Sequence, residues 1–421
     1  MTKLEIFDDI VSVMKNDASC CKDEPGGDVE YYRAQISEDV DENAFVYVMK
    51  SYLATFHVMS HVYFDKKKYD MIPFRVQRYQ NVLYVRAVTA DSPLSVGDRI
   101  IKVDGCEIDI YAEQHEEMFY GETEERQNYG WQNLLCFAKE VTVEKADTGE
   151  VKVYPIILDA KWDNSNKYIC KTLREGVTYL RLKDFQDEEA IQKLYADNHE
   201  LLHSCENLVI DVRGNGGGCD TAFFPLFELC LPEGKTIDDM ADDIYDGGAE
   251  INYSERNCDV RKRWFAEYMK MELPQETRAI LQKCEADLDA YRGKGFVKVE
   301  SEDIDIPYVG LAKPYHVYVI TDSNCGSSGD AFVDVMRKSE KVTVVGRPTM
   351  GILDFSNCAM IEYDQFEFMY PTSRNLYLDK GIQMRNHGIP VDVYVPWTPE
   401  HLERDVDLEK VFELIDAKDN N

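Results

Sequence analysis

Apolar residues recur at helical spacing in the first part of the chain. In residues 4–17 they fall mainly on one side of a helix, and residues 41–58 repeat the pattern. A loop that contains Pro25-Gly26-Gly27 separates the two segments. We therefore predict a helical segment over residues 1–66.

The pattern changes near residue 70 to short runs of β-branched and aromatic residues bounded by turn residues. Residues 82–85 and 141–143 are examples of such runs. Between them, residues 97–105 read GDRIIKVDG, in which each glycine permits a turn beside a short apolar strand. We predict a β-rich domain over residues 67–160.

Short apolar runs alternate with helical patterns in the rest of the chain, which is typical of a layered α/β domain. A charged stretch with helical patterns over residues 240–300 interrupts this alternation. We predict an α/β core over residues 161–421 with a helical insertion at 240–300. The predicted core strands are 177–182, 208–212, 315–320 and 341–345, and the predicted core helices are 188–203 and 331–338.

Composition and charge narrow the classes of partner. The 421 residues include 47 Lys and Arg against 79 Asp and Glu, a formal net charge of −32. This charge disfavours nucleic acid and anionic membranes as partners, because both attract clustered basic residues. Twelve scattered cysteines form no CxxC spacing and no Cys/His cluster, so we expect free thiols and no metal site.

The same features bear on the compartment. Acidic residues occupy the N-terminus where a secretory signal needs an apolar stretch. No run approaches the roughly 18 apolar residues of a membrane-spanning helix. Together with the free thiols, these features lead us to expect a cytoplasmic protein.

A glycine-rich loop follows the apolar run at residues 208–212. It reads RGNGGG over residues 213–218, and such loops expose backbone N–H groups that can bind phosphate or an oxyanion. Phosphate is disfavoured because neither the P-loop pattern nor GxGxxG is present. The alternative is a tight turn from strand to helix that has no chemical role.

A second glycine-flanked turn joins a predicted strand to a predicted helix at Gly326-Ser327-Ser328-Gly329-Asp330. A serine at such a turn can act as a nucleophile, and the helix N-terminus favours developing negative charge. The alternative is that Ser327 and Asp330 only cap the helix. Cys325 is a rival nucleophile that precedes the turn.

Two histidines, His57 and His61, stand in the run FHVMSHVYF at residues 56–64. An imidazole has an ordinary pKa near about 6.5, which suits a general base at neutral pH. A histidine that caps or packs at a helix end is the alternative for both residues.

Together these features resemble the C-terminal processing (tail-specific) serine protease family and its tricorn-core branch. The chain has a helical segment, then GDRIIKVDG, which resembles a PDZ signature. The motifs D-x-R-x-N-x-G-G, Gly-Ser and G-x-x-T-x-G follow in the family's order at 211–218, 326–327 and 346–351, and residues 386–392 resemble its last turn. The resemblance implies an α/β multidomain protein with a ClpP/crotonase-type core and a PDZ-like domain at 67–160 that binds an extended peptide.

The resemblance also assigns roles to residues of this chain. It implies that Ser327 is the nucleophile, and that the backbone N–H of Ser328 with that of Gly217 or Gly218 forms the oxyanion hole. Many members have a lysine base directly after G-x-x-T-x-G, where this chain has Ile352. The Ser/Lys dyad is therefore absent.

The tricorn-like branch instead uses a histidine preceded by serine or glycine. That pattern fits His61 as the general base, with Ser60 as its hydrogen-bonding support. The branch also has a supporting glutamate at the position of Arg385, so its carboxylate is missing here. The other acids that could replace it are Asp354, Glu362 and Asp379, and the sequence favours none of them.

The resemblance implies a serine endopeptidase that cleaves peptides or unfolded protein C-termini through an acyl-enzyme on Ser327, without a cofactor. The departures at Ile352 and Arg385 leave open a catalytically impaired pseudoprotease that acts as a peptide-binding module. A crotonase-type enzyme that transfers acyl groups on a small molecule is the third class. The sequence leaves the formation of a homo-oligomer undetermined.

Overall fold

The computed structural model of the chain describes residues 1–68, 71–120, 123–240, 244–245, 247–271, 273, 275–299 and 306–419. The chain divides into two compact units, and each is assembled from three separate stretches. The first unit comprises Met1–Tyr69, Ile244–Asp303 and Ile352–Arg385, and the second comprises Asp70–Asp243, Ile304–Gly351 and Asn386–Asn421. These boundaries differ from the three consecutive ranges that the sequence suggested.

Twelve α-helices and seventeen strands lie in the described residues. The helices are α1 (Lys3–Asn16), α2 (Val29–Arg33), α3 (Glu42–Ala54), α4 (Ile108–Gln114), α5 (Asn128–Leu135), α6 (Glu188–Asp197), α7 (His199–Ser204), α8 (Phe227–Cys230), α9 (Glu255–Tyr268), α10 (Gln275–Ala290), α11 (Ser328–Met336) and α12 (Val406–Asp419). The strands are β1 (Tyr63–Lys66), β2 (Phe74–Tyr79), β3 (Val82–Val88), β4 (Arg99–Val103), β5 (Cys106–Glu107), β6 (Glu140–Glu144), β7 (Val151–Pro155), β8 (Tyr168–Arg174), β9 (Val177–Leu182), β10 (Asn207–Asp211), β11 (Ala249–Asn252), β12 (Phe296–Val299), β13 (His316–Thr321), β14 (Val342–Gly346), β15 (Phe355–Glu362), β16 (Phe366–Asn375) and β17 (Val393–Tyr394).

The first unit is built on an antiparallel sheet in the order β1-β16-β11-β12, with β15 also paired to β16. Helix α3 packs on this sheet through Phe45, whose ring lies 5.6 Å from that of Phe64 and 5.3 Å from that of Phe366. Such aromatic contacts bury large apolar areas at low entropic cost. The predicted N-terminal helices are confirmed as α1 and α3, and they share their unit with strands from much later in the chain.

The second unit contains a sheet in the order β17-β14-β13-β10-β9-β8, in which all pairs except β8–β9 are parallel. Strand β10 is buried at every residue, as a central parallel strand must be. Strands β10 and β13 are parallel neighbours, with Asp211 opposite Ile320. The loops that follow them therefore leave from the same edge of the sheet, and ligands bind at this kind of edge in α/β folds.

A second, antiparallel sheet of this unit has the order β2-β3-β4-β6-β7, with β5 paired to β4. The turn between β4 and β5 uses Asp104 and Gly105, both at positive φ. Arg126, beside α5, donates hydrogen bonds to the carbonyls of Thr349 (2.9 Å) and Met350 (3.0 Å) in the same unit. The structure thus has a β-rich region at 67–160, while its PDZ-like character stays a prediction.

The predicted core strands are confirmed as β9, β10, β13 and β14, and the α/β multidomain class is confirmed with them. The predicted insertion contains α9 and α10, but also β11 and β12; its residues 241–243, 246, 272, 274 and 300 lie outside the described residues. Among the helices described, none is both long and apolar enough to cross a membrane.

Candidate active site

Ser327 stands between the end of β13 and the start of α11, in a strained backbone conformation. Its φ is 58° and its ψ −123°, a region that residues other than glycine seldom adopt. The side chain is half-buried. The N–H of Ser327 donates to Asp330 Oδ2 at 2.8 Å. The turn therefore holds the serine at the N-terminus of a nine-residue helix, where negative charge is favoured.

Asp330 is fully buried and accepts hydrogen bonds from two separate segments. Its Oδ2 binds the N–H of Ser327, and its Oδ1 binds the N–H of Gly351 at 2.7 Å. The N–H of Met350 also donates to the carbonyl of Cys325 at 2.6 Å. The end of the G-x-x-T-x-G motif and the serine turn are therefore fixed to each other.

Asn215 fixes the glycine loop against the same turn. Its buried side chain donates to the carbonyl of Leu182 and accepts the N–H of Gly217, both at 2.9 Å, while its own carbonyl accepts the N–H of Gly326 at 2.9 Å. A Cβ on Gly217 would lie 2.6 Å from the Cβ of Ser327 and 2.9 Å from the nitrogen of Ser328. Only glycine fits at this position, because the loop lies so close to Ser327 and Ser328.

Two backbone N–H groups at this turn donate no hydrogen bond within the part of the chain that the structure describes, those of Ser328 and Gly218. The Ser328 hydroxyl donates to the Gly218 carbonyl at 2.8 Å, which holds the two residues together. The N–H of Gly217 is already used by Asn215. Of the two glycines named from the sequence, Gly218 thus has the available donor.

Cys325 lies close to this turn but has no exposed surface. Burial raises the pKa of its thiol well above the ordinary range, and the charge of Asp330 raises it further. A thiol that stays protonated at neutral pH is a poor nucleophile. The chemistry of this turn therefore favours Ser327.

His61 belongs to the first unit, where it is buried after α3. Its Nδ1 lies 2.6 Å from the carbonyl oxygen of Phe355. Because a carbonyl only accepts, Nδ1 carries the hydrogen in this contact. Burial lowers the pKa of His61 below its ordinary value of 6.5, although the carbonyls of Phe355 and Ile352 act in the opposite direction. The imidazole is therefore neutral at pH 7.

Ser60 is half-buried at a positive φ of 62°, and in the described residues its hydroxyl forms no hydrogen bond with His61. The carbonyls of Phe355 and Ile352 act on the imidazole instead, and a supporting role for Ser60 stays a prediction. His57 is exposed at the end of the same helical region, with a φ of 51°.

The three acids that could replace the missing glutamate have other partners. Asp354 is buried and accepts the Tyr377 hydroxyl at 2.9 Å and the N–H of Met384 at 2.7 Å. Glu362 pairs with Lys67, and Asp379 with Arg374. None of the three bonds to His61 in the described chain. Arg385 pairs with Glu24 at 2.7 Å.

The acid and the arginine of the D-x-R motif belong to a buried ionic network. Asp211 accepts the Tyr179 hydroxyl at 2.6 Å and two nitrogens of Arg213. Arg213 and Arg347 both bind Asp407. Burial alone raises the pKa of Asp407, but His401 and the two guanidiniums together hold it far below its usual range. This network connects the glycine loop after β10 and the loop after β14 to α12. Its acceptor on α12, Asp407, belongs to none of the motifs identified in the sequence.

The described residues contain no group of three or more His, Cys, Asp or Glu side chains that could hold a metal ion. All twelve cysteines lie in the described part of the chain, and each is a free thiol.

Residues 176–395 match the profile of Peptidase family S41, which is slightly more than half of the chain. The chain belongs to peptidase family S41. This family consists of serine peptidases, and the matched stretch contains Gly217, Gly218, Ser327 and Ser328. No curated protein matches the sequence significantly.

Solved structures resemble this S41 peptidase over nearly the whole length of the chain. Mature CPAF has a TM-score of 0.65 at 12% identity, with 98% of this chain and 96% of that chain covered. Mature CPAF complexed with lactacystin has a TM-score of 0.63 at 13% identity, with 98% and 97% covered. At these identities the likeness concerns the fold, which is therefore shared along nearly the whole sequence.

Proposed function

We propose that this S41 peptidase is an endopeptidase that cleaves peptides or unfolded protein C-termini through an acyl-enzyme on Ser327. The observation that carries the proposal is the turn itself. Ser327 stands at a strained positive φ, and beside it are the N–H groups of Ser328 and Gly218, neither of which has an acceptor among the described residues. Acyl transfer needs a presented nucleophile together with fixed donors for an oxyanion.

In the proposed mechanism, Ser327 Oγ attacks the peptide carbonyl carbon while the imidazole of His61 takes the hydroxyl proton. The oxyanion that forms is stabilised by the N–H groups of Ser328 and Gly218. The C–N bond then breaks, and His61 returns the proton to the leaving amine. Water, deprotonated by His61, attacks the ester, which releases the acid and regenerates Ser327.

One observation supports His61 as the base. Burial lowers its pKa, so the imidazole is neutral and able to accept a proton at neutral pH, as proton transfer from a serine requires.

The proposal is tested with a fluorophosphonate probe, which labels activated serines. We expect labelling of the wild-type chain and of Cys325→Ala, and no labelling of Ser327→Ala. Labelling that persists in Ser327→Ala would remove Ser327 from the mechanism.

Arg385 and Ile352 favour a second candidate, a pseudoprotease that only binds peptides. Ile352 cannot accept a proton, and Arg385 is paired with Glu24 where the resembled branch has a supporting acid. If the wild-type chain neither reacts with the probe nor cleaves denatured casein between about pH 6 and about pH 9, a range over which a histidine base becomes neutral, the binding function replaces the catalytic one.

We also propose that the antiparallel sheet of β2 to β7 is a PDZ-like module that binds an extended peptide. Its strand order leaves β2 and β7 at the edges, and β-strand addition uses an open edge. Loss of peptide binding when an edge strand is blocked by proline would support this role, and unchanged binding would contradict it.

A further inference from the structure

Four basic side chains of the second unit, two from each of its sheets, lie close enough to influence one another. Arg75 on β2 pairs with Ala87, so it lies beside Arg86 on the neighbouring β3. Arg181 and Lys183 are two residues apart at the end of β9, which places them on one face. We refer to these four residues as the cationic cluster.

The segment that follows the antiparallel sheet contacts one member of each pair, Arg75 of the first and Lys183 of the second. The Trp162 ring lies 4.8 Å below the Arg75 guanidinium, and its indole N–H donates to the carbonyl of Ile72 at 3.2 Å. Further along this segment, the carbonyl of Lys167 accepts the N–H of Lys183 at 3.1 Å. After burial, the charges of Arg181, Arg75 and Arg86 are the main causes that lower the pKa of Lys183. The four charges are thus close enough to repel one another.

No acid forms an ion pair with the cationic cluster within the part of the chain that the structure describes. The exposed Asp163 attracts Lys183 from a distance, and its Oδ1 accepts the N–H of Ser165 at 2.8 Å. None of its members forms an ion pair or a side-chain hydrogen bond there, and the Nε atoms of Arg86 and Arg181 are buried without an acceptor. Buried donors in proteins are nearly always satisfied. In a chain with 79 acidic residues, an unpaired group of four cations indicates an external anion.

Other charged groups that face the cluster have partners of their own. Asp322 attracts Arg86, but its oxygens accept the N–H groups of Gly214 and Asn324. Arg347 is paired with Asp407. Lys167 is paired with Asp184 at 2.8 Å.

The cationic cluster borders the proposed catalytic turn. Two residues after Lys183, Phe185 donates its N–H to the carbonyl of Gly217 and accepts the N–H of Cys219, both at 2.9 Å. Asp322, whose charge attracts Arg86, is the first residue of the connection from β13 to the serine turn. The cluster is therefore linked to the glycine loop through Phe185 and to the serine turn through Asp322.

We propose that the cationic cluster binds a carboxylate of the peptide substrate, so that this peptidase selects peptides carrying negative charge near the cleaved bond. This inference rests on the proposed function. A guanidinium presents parallel N–H donors that match a planar carboxylate. The carboxylate is either the C-terminus of the peptide or an Asp or Glu side chain. The net charge of −32 by itself repels acidic peptides, so the cluster would act against that repulsion near the cleaved bond.

The test measures the binding of fluorescent peptides to Ser327→Ala protein by anisotropy. Three peptides of one sequence are used: one with a glutamate and a free C-terminus, one amidated at the C-terminus, and one with the glutamate replaced by glutamine. We expect one replacement to weaken binding about tenfold or more, which identifies the source of the carboxylate. Equal affinity for all three peptides would overturn the inference.

The variants Arg75→Gln and Arg181→Gln should remove this discrimination, whereas Lys193→Gln, an equal charge change on the exposed face of α6, should keep it. Arg75 reaches solvent, so its variant should fold, and melting curves check this. Discrimination that survives in both cluster variants contradicts the proposal. Cleavage of the same peptides by wild-type protein separates the two hypotheses. Equal cleavage rates for the three peptides reject only the role of the cluster. If the protein neither cleaves nor becomes labelled, the proposed function is rejected, and the anisotropy result still decides whether the cluster binds a carboxylate.

Discussion

Ser327 in the second unit and His61 in the first are held by different chemical groups. A buried carboxylate, Asp330, accepts the N–H of the serine and that of Gly351. The imidazole of His61 is held by neutral backbone carbonyls, those of Phe355 and Ile352. Hydrogen bonds to a charged acceptor are roughly twice as strong as those between neutral groups. The nucleophile is thus more strongly fixed than its proposed base.

This difference has a consequence for the rate of the proposed reaction. A carboxylate on Nδ1 stabilises the imidazolium that forms when the base takes a proton, and a carbonyl dipole does so less. In agreement, burial outweighs the two carbonyls and lowers the pKa of His61. We therefore expect a strongly preorganised serine turn that reacts slowly because its base is weak.

Removing the base should have the largest effect. His61→Ala leaves Ser327 without a proton acceptor, so we expect acylation by the fluorophosphonate probe to slow by about 10⁴-fold or more. His57→Ala is the control, because His57 is exposed and has no expected role in acylation. If His57→Ala loses labelling and His61→Ala keeps it, the base is His57.

The glycine loop gives the next largest effect. In Gly217→Ala the new methyl group would clash with Ser327 and with the nitrogen of Ser328, at a φ of 88°. We expect acylation to fall by about 10²–10³-fold, the usual cost of a lost oxyanion donor. Gly216→Ala is the matched control, since nothing lies within 4 Å of its added Cβ. Equal rates in the two variants would separate this loop from the chemistry.

The serine turn was largely predictable from the sequence, whereas the histidine site was not. Strands β10 and β13 are continuous apolar runs, and the glycines after them mark their loops, so local pattern was enough. Asp330 was visible as a helix-capping residue. The groups that hold His61 include main-chain carbonyls, those of Phe355 and Ile352, and no side chain in the sequence signals such groups.

The division into units also lay beyond local pattern. The sheet of the first unit combines strands near residues 63, 249, 296, 355 and 366, and such pairings depend on contacts far apart in sequence. Residues 1–66 look helical because α1 and α3 dominate their pattern. The four-residue strand β1 is too short to alter that reading.

Asp330 should matter for both stability and reaction. Asp330→Asn replaces one acceptor oxygen with an NH₂ group that faces an N–H, so one buried donor loses its partner. We expect the free energy of unfolding to fall by about 1–3 kcal/mol and probe labelling to fall with it. The exposed Glu340→Gln, close to the end of the same helix, is the control for thermal melting. An unchanged melting temperature in Asp330→Asn would show that the carboxylate does not hold the turn.

The smallest expected effect is a displaced pH profile, and it tests the weak-base argument directly. A base must be unprotonated, so acylation falls as the pH drops through the pKa of His61. Because burial lowers that pKa, the acidic limb should lie below the ordinary value of 6.5, and the rate at about pH 6.5 should stay above half its maximum. The measurement is the rate of probe acylation against pH, with circular dichroism at each pH to exclude unfolding. A limb above 6.5 would mean that a negative charge stabilises the imidazolium, so that a carboxylate holds His61 during the reaction. The hydrogen bond between His61 and the carbonyl of Phe355 would then exist only in the resting enzyme.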